Sequence, residues 1–468
     1  MFKIVRSIQT RPLHRKILKH SMNIMLYFPL INLTVPRECI NTKNVIKTSN
    51  NNFTNKKADG NVTVNNFKQG KLGNCAMVSS MATLATNEGL YNKVVPKGQN
   101  FQKSFFPIFN FSKVAFNLYK QGKLHNVEVD KKLPIGANGG LIYGRSSNEN
   151  LVGPLLEKAL VQLHFDGRYE AARGVRATFV MASLSNSFFE EFASESKKLS
   201  SELEMAMEHG VKTNCQMVVC DDNRHAFALL GYDRQDEKKP IKLYDPHGGT
   251  YSVGKKKFSE NLKVLVMSYY ENKIFQMPEI KTSVEFVGNW PASQSSEEVF
   301  FVDYDLFIKE DDTEILMNVI AKPNLHIKPQ MFIIASDGGM TVIKNSTVVT
   351  KDLVYHKASL RANLKNGKYK IVIGPTKLLI PDKSCEDCKK YLENGGSEFL
   401  FRLAASKRCS VEKSTEEDVE KIEEALKWHE YKLLFIIFSK KDFFVIIVKT
   451  MRNLFWLFFD HLKSFITF

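Results

Sequence analysis

The strongest chemical signal in this chain is Gln69-Gly70-Lys71-Leu72-Gly73-Asn74-Cys75, in which two glycines let the backbone turn closely before a cysteine that opens a helical pattern. A thiolate, not a thiol, is the nucleophile, and the positive end of a helix dipole favours the thiolate. Gln69 stands a few residues upstream, where its amide could donate to a developing oxyanion beside the N–H of Cys75. Taken alone the segment is only suggestive, since free cysteines are among the most buried residue types. Two further residues complete a possible site. His225 opens the apolar stretch Ala226–Tyr232, and Asp245 closes a short strand before Pro246. Singly, each has a bland reading, a structural histidine and a turn-forming aspartate. Together they supply what a thiol nucleophile needs, a base and a third group that fixes the base's tautomer and orientation.

The elements that must position these residues fall into blocks. From about 68 to 165, apolar residues recur at helical spacing in Cys75–Glu88 and Leu151–His164, and Lys123–Asp130 alternates like an exposed strand. From about 211 to 281 the segments Gln216–Cys220, Ala226–Tyr232, Ile241–Asp245 and Val264–Tyr269 are short, rich in β-formers and bounded by Asp, Asn, Pro and Gly. From about 282 to 405 the same style continues in Val299–Ile308, Glu314–Ile320, Met331–Ala335, Lys368–Ile373 and Glu398–Leu403, which points to a sandwich. A charged helical segment, Thr415–Trp428, follows.

With these residues in view, the sequence resembles the calpain family of cysteine proteases. The resemblance rests on Gln69-Gly-x-x-Gly73-x-Cys75, Ser79-Ser80-Met81-Ala82-Thr83-Leu84, Val94-Val95-Pro96, Gln99-x-Phe101 and Ile108-Phe109-x-Phe111. It continues through Val127-x-Val129-Asp130, Leu133-Pro134, Leu155–Ala159, Gly167-x-Tyr169-Glu170-Ala171 and His225-Ala226, so that it covers about 66 to 281. Beyond it, Leu364-x-x-Gly367-x-Tyr369 and Glu398–Arg402 look like the calpain-type β-sandwich. The resemblance implies an α+β protein. A papain-like two-subdomain core over 66–281 would consist of a helical subdomain at 66–165 and a β subdomain at 166–281. An antiparallel β-sandwich at 282–405 would follow it. Residues 1–65 are expected to be a poorly ordered basic extension, and 406–468 a charged helix with a hydrophobic tail.

By resemblance, Cys75 is the nucleophile, His225 the general base, Gln69 an oxyanion donor and Asp245 the third member, where the family has Asn. Protein substrates are implied. Calcium enters only through the family, since the chemistry itself needs no cofactor. The family's acid before the nucleophile, associated with its core calcium site, is Asn74 here, and the C-terminal part has no EF-hand loop pattern. Three further departures are Ala76 and His247, both in place of Trp, and Arg173-Gly174 in place of Gly-Gly. A Cys-His-Asp endopeptidase is the reading these residues favour. A scaffold that binds peptides without cleaving them, or an acyltransferase forming isopeptide bonds, would use the same side chains.

Composition sets the limits. The 468 residues are 43% hydrophobic and 25% charged, which excludes collagen-like, wholly disordered and multi-spanning membrane chains. The formal net charge is +16, yet residues 1–60 hold eleven Lys or Arg against two acids, and residues 431–468 hold six against two. The excess therefore sits in the tails, whereas a nucleic-acid binder carries it on the folded domain, so no nucleic-acid partner is expected. The basic start could also serve as a mitochondrial transit peptide or a membrane-surface helix. A secretory signal is not expected, because the apolar run Met22–Leu33 lies late and is interrupted. The C-terminal runs Leu433–Phe438, Phe443–Val448 and Leu454–Phe459 are each too short to span a bilayer; they read as buried structure or as an interfacial membrane contact. Seven scattered cysteines do not make a disulfide framework and point to a reducing, cytoplasmic setting. Cys385 and Cys388 have the spacing of half a zinc site but lack a second pair, so a surface turn is expected.

Overall fold

The computed structural model describes residues 62–102, 113–194, 199–277, 279–291, 301–321, 329–336, 341–349, 354–356, 358–375, 396–414, 421–422 and 425–426. The readings made for most of the basic extension, for Ile108–Phe111, for the Cys385/Cys388 pair, for most of Thr415–Trp428 and for the C-terminal apolar runs lie outside these residues.

The protein is α+β, with several antiparallel sheets. Its first part carries α1 (Cys75–Ala82), α2 (Glu88–Val94), the hairpin β1 (Lys113–Lys120) and β2 (Lys123–Asp130), α3 (Val152–Phe165) and α4 (Ala177–Ser185). The helical pattern starting at Cys75 is broken earlier than the spacing predicts. After Ala82 the chain tightens into a 3-10 turn over Thr83–Thr86, and Asn87 then caps α2 by accepting from Leu90 N at 2.8 Å. An Asn side chain that satisfies an orphan N–H starts a new helix more readily than it continues an old one. Elsewhere α3 buries nearly its whole length, with Leu155, Leu156, Leu160 and Val161 packed into one core with Met77, Val78 and Met81 of α1. Pro154 sits in the first turn of α3, where no intrahelical N–H is lost.

A six-stranded sheet follows in the order β3-β8-β4-β5-β6-β7, all pairs antiparallel. Its strands are β3 (Phe189–Ala193), β4 (Gln216–Asp221), β5 (Ala226–Tyr232), β6 (Ile241–Asp245), β7 (Gly249–Val253) and β8 (Leu262–Ser268). Two helices intervene, α5 (Ser201–Lys212) and α6 (Lys255–Asn261). One face of the sheet contributes Val218, Ala226, Val264 and Val266 to a cluster with Ala177 and Met181 of α4, against which Cys75 and Cys220 pack. The other face carries Met217, Val219, Leu229 and Leu265 into a second core with Leu203 and Met207 of α5. Two-sided burial explains why these strands read as near-continuous apolar runs.

Of the remaining strands, β14 (Thr347–Val349) and β15 (Val354–His356) pair with each other, and the others form two facing antiparallel sheets. One has the order β13-β12-β17-β10-β19, with β10 (Val302–Ile308), β12 (Pro329–Ala335), β13 (Thr341–Asn345), β17 (Gly367–Pro375) and β19 (Cys409–Lys413). The other has the order β16-β11-β18-β9, with β9 (Thr282–Pro291), β11 (Thr313–Ala321), β16 (Ser359–Leu364) and β18 (Gly396–Ala405). Alternate residues of both sheets, such as Leu306, Ile371 and Ile333 opposite Ile315, Met317 and Phe401, fill one core, as in a sandwich. Among the described residues no helix is long and apolar enough to cross a membrane.

Candidate active site

Three elements converge on one place. The loop before α1 is held from both sides, since Gln69 N donates to Pro246 O at 3.1 Å and Lys71 N to Ile142 O at 2.9 Å. Gly70 has to be glycine, because a Cβ there would lie 2.0 Å from Tyr143 O. Tyr244, fully buried at the end of β6, donates its hydroxyl to Phe67 O at 2.8 Å, so the strand that ends in Asp245 also grips the loop that leads to Cys75.

Cys75 is the first residue of α1 and is half-buried. Asn74 stands at the N-cap, yet its side chain makes no cap to the helix and instead donates to Glu157 Oε1 of α3 at 2.6 Å. Glu157 is almost entirely buried and also accepts from Gly144 N at 2.6 Å. Burial raises its carboxyl to about 7, against the two hydrogen bonds that favour the charged form. Further along α1, Ser79 Oγ donates to Ala226 O at 2.9 Å, and Gln216 of β4 reaches Ser80 O and Thr83 Oγ1. These bonds fix α1 across the start of β5, where His225 lies.

His225 Nε2 meets Asp245 Oδ1 at 2.9 Å, with both side chains about three-quarters buried. The contact uses Nε2 and leaves Nδ1 for the thiol. The neighbouring thiol of Cys75 and then the Asp245 carboxylate, working against burial, raise the imidazole to about 9. Asp245 is lowered below the ordinary carboxylate range: burial opposes this, but the hydrogen bonds from His225 and from the backbone of His247 outweigh it. The backbone N–H of His225 donates to Asp221 Oδ1 at 2.8 Å, and Arg224, in the left-handed region at φ 64°, turns its carbonyl to within 3.9 Å of Cys75 Sγ. Cys220 packs in the same cluster as Cys75, but burial pushes its thiol up to about 12 and keeps it protonated.

Cys75, His225 and Asp245 thus lie at one place in the structure. Gln69 lies in the same loop, but its Nε2 donates to Leu72 O at 2.6 Å and its Oε1 is buried without a partner among the described residues. His247, which by resemblance stands in place of Trp, keeps an aromatic ring there: its imidazole stacks on His225 at 5.3 Å between centroids and 13° between planes. Phe227 meets His225 edge-on at 4.7 Å. Sequence reasoning missed Glu157, whose only signal was an acid next to Leu155 and Leu156 in a mostly apolar helical run. It also missed Asp221 and Phe227, which carried none.

Among the described residues no group of three or more His, Cys, Asp and Glu side chains is arranged to hold a metal ion. Asn74, where resemblance puts the calcium-associated acid, is buried with its amide committed to Glu157. Asn74 therefore offers no carboxylate at this place.

A thiol at a helix start, facing an imidazole anchored by a carboxylate, is the apparatus that cysteine proteases use. The family described as calpain family cysteine protease matches residues 42–298. That span is more than half of the sequence, and the chain belongs to the calpain family. Human calpain-1 catalytic subunit is 30% identical over 259 residues, which are 53% of this chain and 32% of that protein. Mouse calpain-12 is 41% identical over 107 residues, 23% of this chain and 14% of that protein. Calpain-B of Drosophila melanogaster is 38% identical over 108 residues, 23% of this chain and 11% of that protein. The chain therefore spans a third or less of each of these relatives.

Proposed function

We propose that the protein is a cysteine-type endopeptidase that hydrolyses peptide bonds of intracellular proteins through Cys75, His225 and Asp245, with helical and β parts facing each other across a papain-like cleft. The observation that carries this reading is the His225–Asp245 pair at 2.9 Å beside a thiol at the first position of α1. Asp245 orients the ring through Nε2, and His225 takes the thiol proton. The thiolate attacks the peptide carbonyl, and the tetrahedral oxyanion is met by the Cys75 N–H and by Gln69 once its amide leaves Leu72 O. His225 then protonates the leaving amine and draws a proton from the water that hydrolyses the thioester. No step is routed through calcium.

The test is labelling of the purified protein with a peptidyl electrophile selective for activated thiols, in wild type, Cys75→Ala and His225→Ala, with and without added calcium, alongside sequencing of new N-termini in a digested protein substrate. Labelling confined to Cys75 and dependent on His225, with new N-termini, is expected. A folded protein that is not labelled in either condition overturns the reading in favour of a peptide-binding scaffold, and isopeptide crosslinks without new N-termini overturn it in favour of acyl transfer.

A further inference from the structure

We propose that Arg173 selects substrates that carry an acidic side chain two or three residues before the cleaved bond. The proposal rests on the protease reading given above and names the class of peptide that the same site prefers.

Two loops form a rim beside the nucleophile. Leu72-Gly73-Asn74 leads into Cys75, Ala172-Arg173-Gly174-Val175 leads toward α4, and Gly174 N donates to Gly73 O at 2.9 Å, which ties the two together. Leu72 and Asn74 are buried on one loop, Ala172 and Val175 on the other, so Gly73, Arg173 and Gly174 are exposed on backbone that is anchored on both sides. The Arg173 side chain turns toward the nucleophile loop, since a Cβ on Gly73 would meet Arg173 Cγ at 3.7 Å. The arginine stem thus lies over the bare face of Gly73 and leaves its charged head in water. Among the described residues the Arg173 guanidinium has no hydrogen bond or ion pair, and Glu170, the nearest acid along the chain, accepts instead from the Tyr143 hydroxyl.

The position along the substrate follows from the proposed chemistry. His225 protonates the leaving amine, so the peptide beyond the cut lies on the side of β5 and the turn after β6. That turn is tied to the Gln69 end of the nucleophile loop, through Gln69 N and Pro246 O, whereas the Gly73 end is tied to Gly174. The part before the cut therefore runs from Cys75 along Gly73 and Arg173. Gly73 is two residues from Cys75, at most about 7 Å away, and an extended peptide advances about 3.4 Å per residue, so its second and third side chains before the bond come abreast of Arg173. Charge points the same way. On the His225 side Arg224 stands close to Asp221 and Asp222, while on the Gly73 side Arg173 is followed by the exposed Arg176 and the one nearby acid is held by Tyr143. A planar guanidinium with free donors takes a carboxylate in a two-pronged contact, which neither a Gln nor a Lys side chain can offer.

Two measurements test this on the full chain. In the first, kcat/KM is compared for fluorogenic peptides that carry Glu, Gln or Lys at single positions before and after the cleaved bond, in wild type, Arg173→Gln and Arg173→Glu. Wild type is expected to prefer Glu over Gln about fivefold at the second or third position before the bond. That factor should shrink between about 50 mM and about 500 mM salt. Arg173→Gln should lose the preference, and Arg173→Glu should reverse it in favour of Lys, a reversal that damage to the fold would not produce. In the second, binding of the labelled Glu and Gln peptides to the Cys75→Ala protein is followed by fluorescence anisotropy, which needs no turnover. Tighter binding of the Glu peptide, lost when Arg173→Glu is added, is expected. Equal rates for Glu and Gln, a preference that lies only after the bond, or an unchanged preference in Arg173→Glu overturns the role of Arg173 and leaves the proposed protease standing. Absence of Cys75-dependent cleavage of every peptide overturns the protease reading, and the anisotropy measurement then decides on Arg173 by itself, equal binding of the two peptides counting against it.

Discussion

Substitution of Glu157 by Gln should stabilise the protein, and the gain should grow with pH. Glu157 is 1% exposed, and burial raises its carboxyl from the ordinary 4.5 to about 7. A carboxyl raised in the folded state is kept protonated by folding. The stability of the wild type is therefore full below about 4.5 and declines as pH rises through about 7. At about 1.4 kcal/mol per pH unit, the interval between those values amounts to about 3 kcal/mol. Gln has the same shape and no charge. Its carbonyl can accept from Gly144 N, and its amide can donate to Asn74 Oδ1, which is buried without a partner among the described residues, once the Asn74 amide turns over. Urea unfolding of both proteins between pH 4.5 and 8, with the m-value checked for constancy, measures the difference directly. The two should be close at pH 4.5 and separated by about 3 kcal/mol at pH 8, with Glu157→Gln the more stable. A difference independent of pH, or Glu157→Gln less stable at pH 8 than at pH 4.5 relative to wild type, would show that the bonds from Asn74 and Gly144 outweigh the burial of the charge.

Three other outcomes are expected. Asp245→Asn keeps an acceptor for His225 but removes its charge, so the histidine should titrate below its present value of about 9 and the alkaline limb of kcat/KM should move down; an unmoved limb counts against Asp245 as the electrostatic partner. His164 is buried among Phe165 and Phe179, its Nε2 has no partner among the described residues, and burial, with smaller effects of Lys120 and His125, lowers it to about 3. A base lowered in the folded state contributes full stability above about 6.5 and loses it as pH falls toward 3, so His164→Phe should flatten the acid side of the stability curve, and equal acid sensitivity of the two proteins would refute this. Arg361 of β16 donates to Glu190 through Nε at 2.7 Å and Nη2 at 2.6 Å, and also reaches Glu314 and Phe275 O. Arg361→Met strands the buried Glu190 and should cost about 3 to 5 kcal/mol in urea unfolding, whereas a loss below about 1 kcal/mol would show the network to be dispensable.

The parts of this fold that could be read from sequence are those whose cause is local. β4, β5, β6 and β8 lie within a residue or two of the apolar stretches that predict them, because two-sided burial writes itself into composition. α3 does so for the same reason. The end of α1 could not be read, since Thr83 and Thr86 fit a helical pattern and only the bond from Leu90 N to Asn87 shows where the helix restarts. In the site, Cys75, His225 and Asp245 are legible as chemical types in a plausible order. The bonds that place them are not, because Asn74 finds Glu157 and Ser79 finds Ala226 O across long intervals of chain. His247 shows the limit most clearly. Its identity was legible, but its stacking on His225 depends on a turn geometry that spacing does not encode.

One edge of the six-stranded sheet is β3, and its outward backbone groups are not left to solvent. Asn318 of β11 accepts from Phe189 N and donates to Phe189 O, Ser359 accepts from Glu191 N, and Glu191 itself accepts from Ala358 N. Natural proteins guard such edges with charges, bulges or short strands against pairing with another molecule. Here the guard is a neighbouring lobe that lends side chains as mock strand partners. The sandwich therefore covers one edge of the sheet beside which His225 stands. A chain cut near residue 281 would present β3 as a template, and its first failure, visible as light scattering before any loss of helix signal, would be sheet growth between molecules.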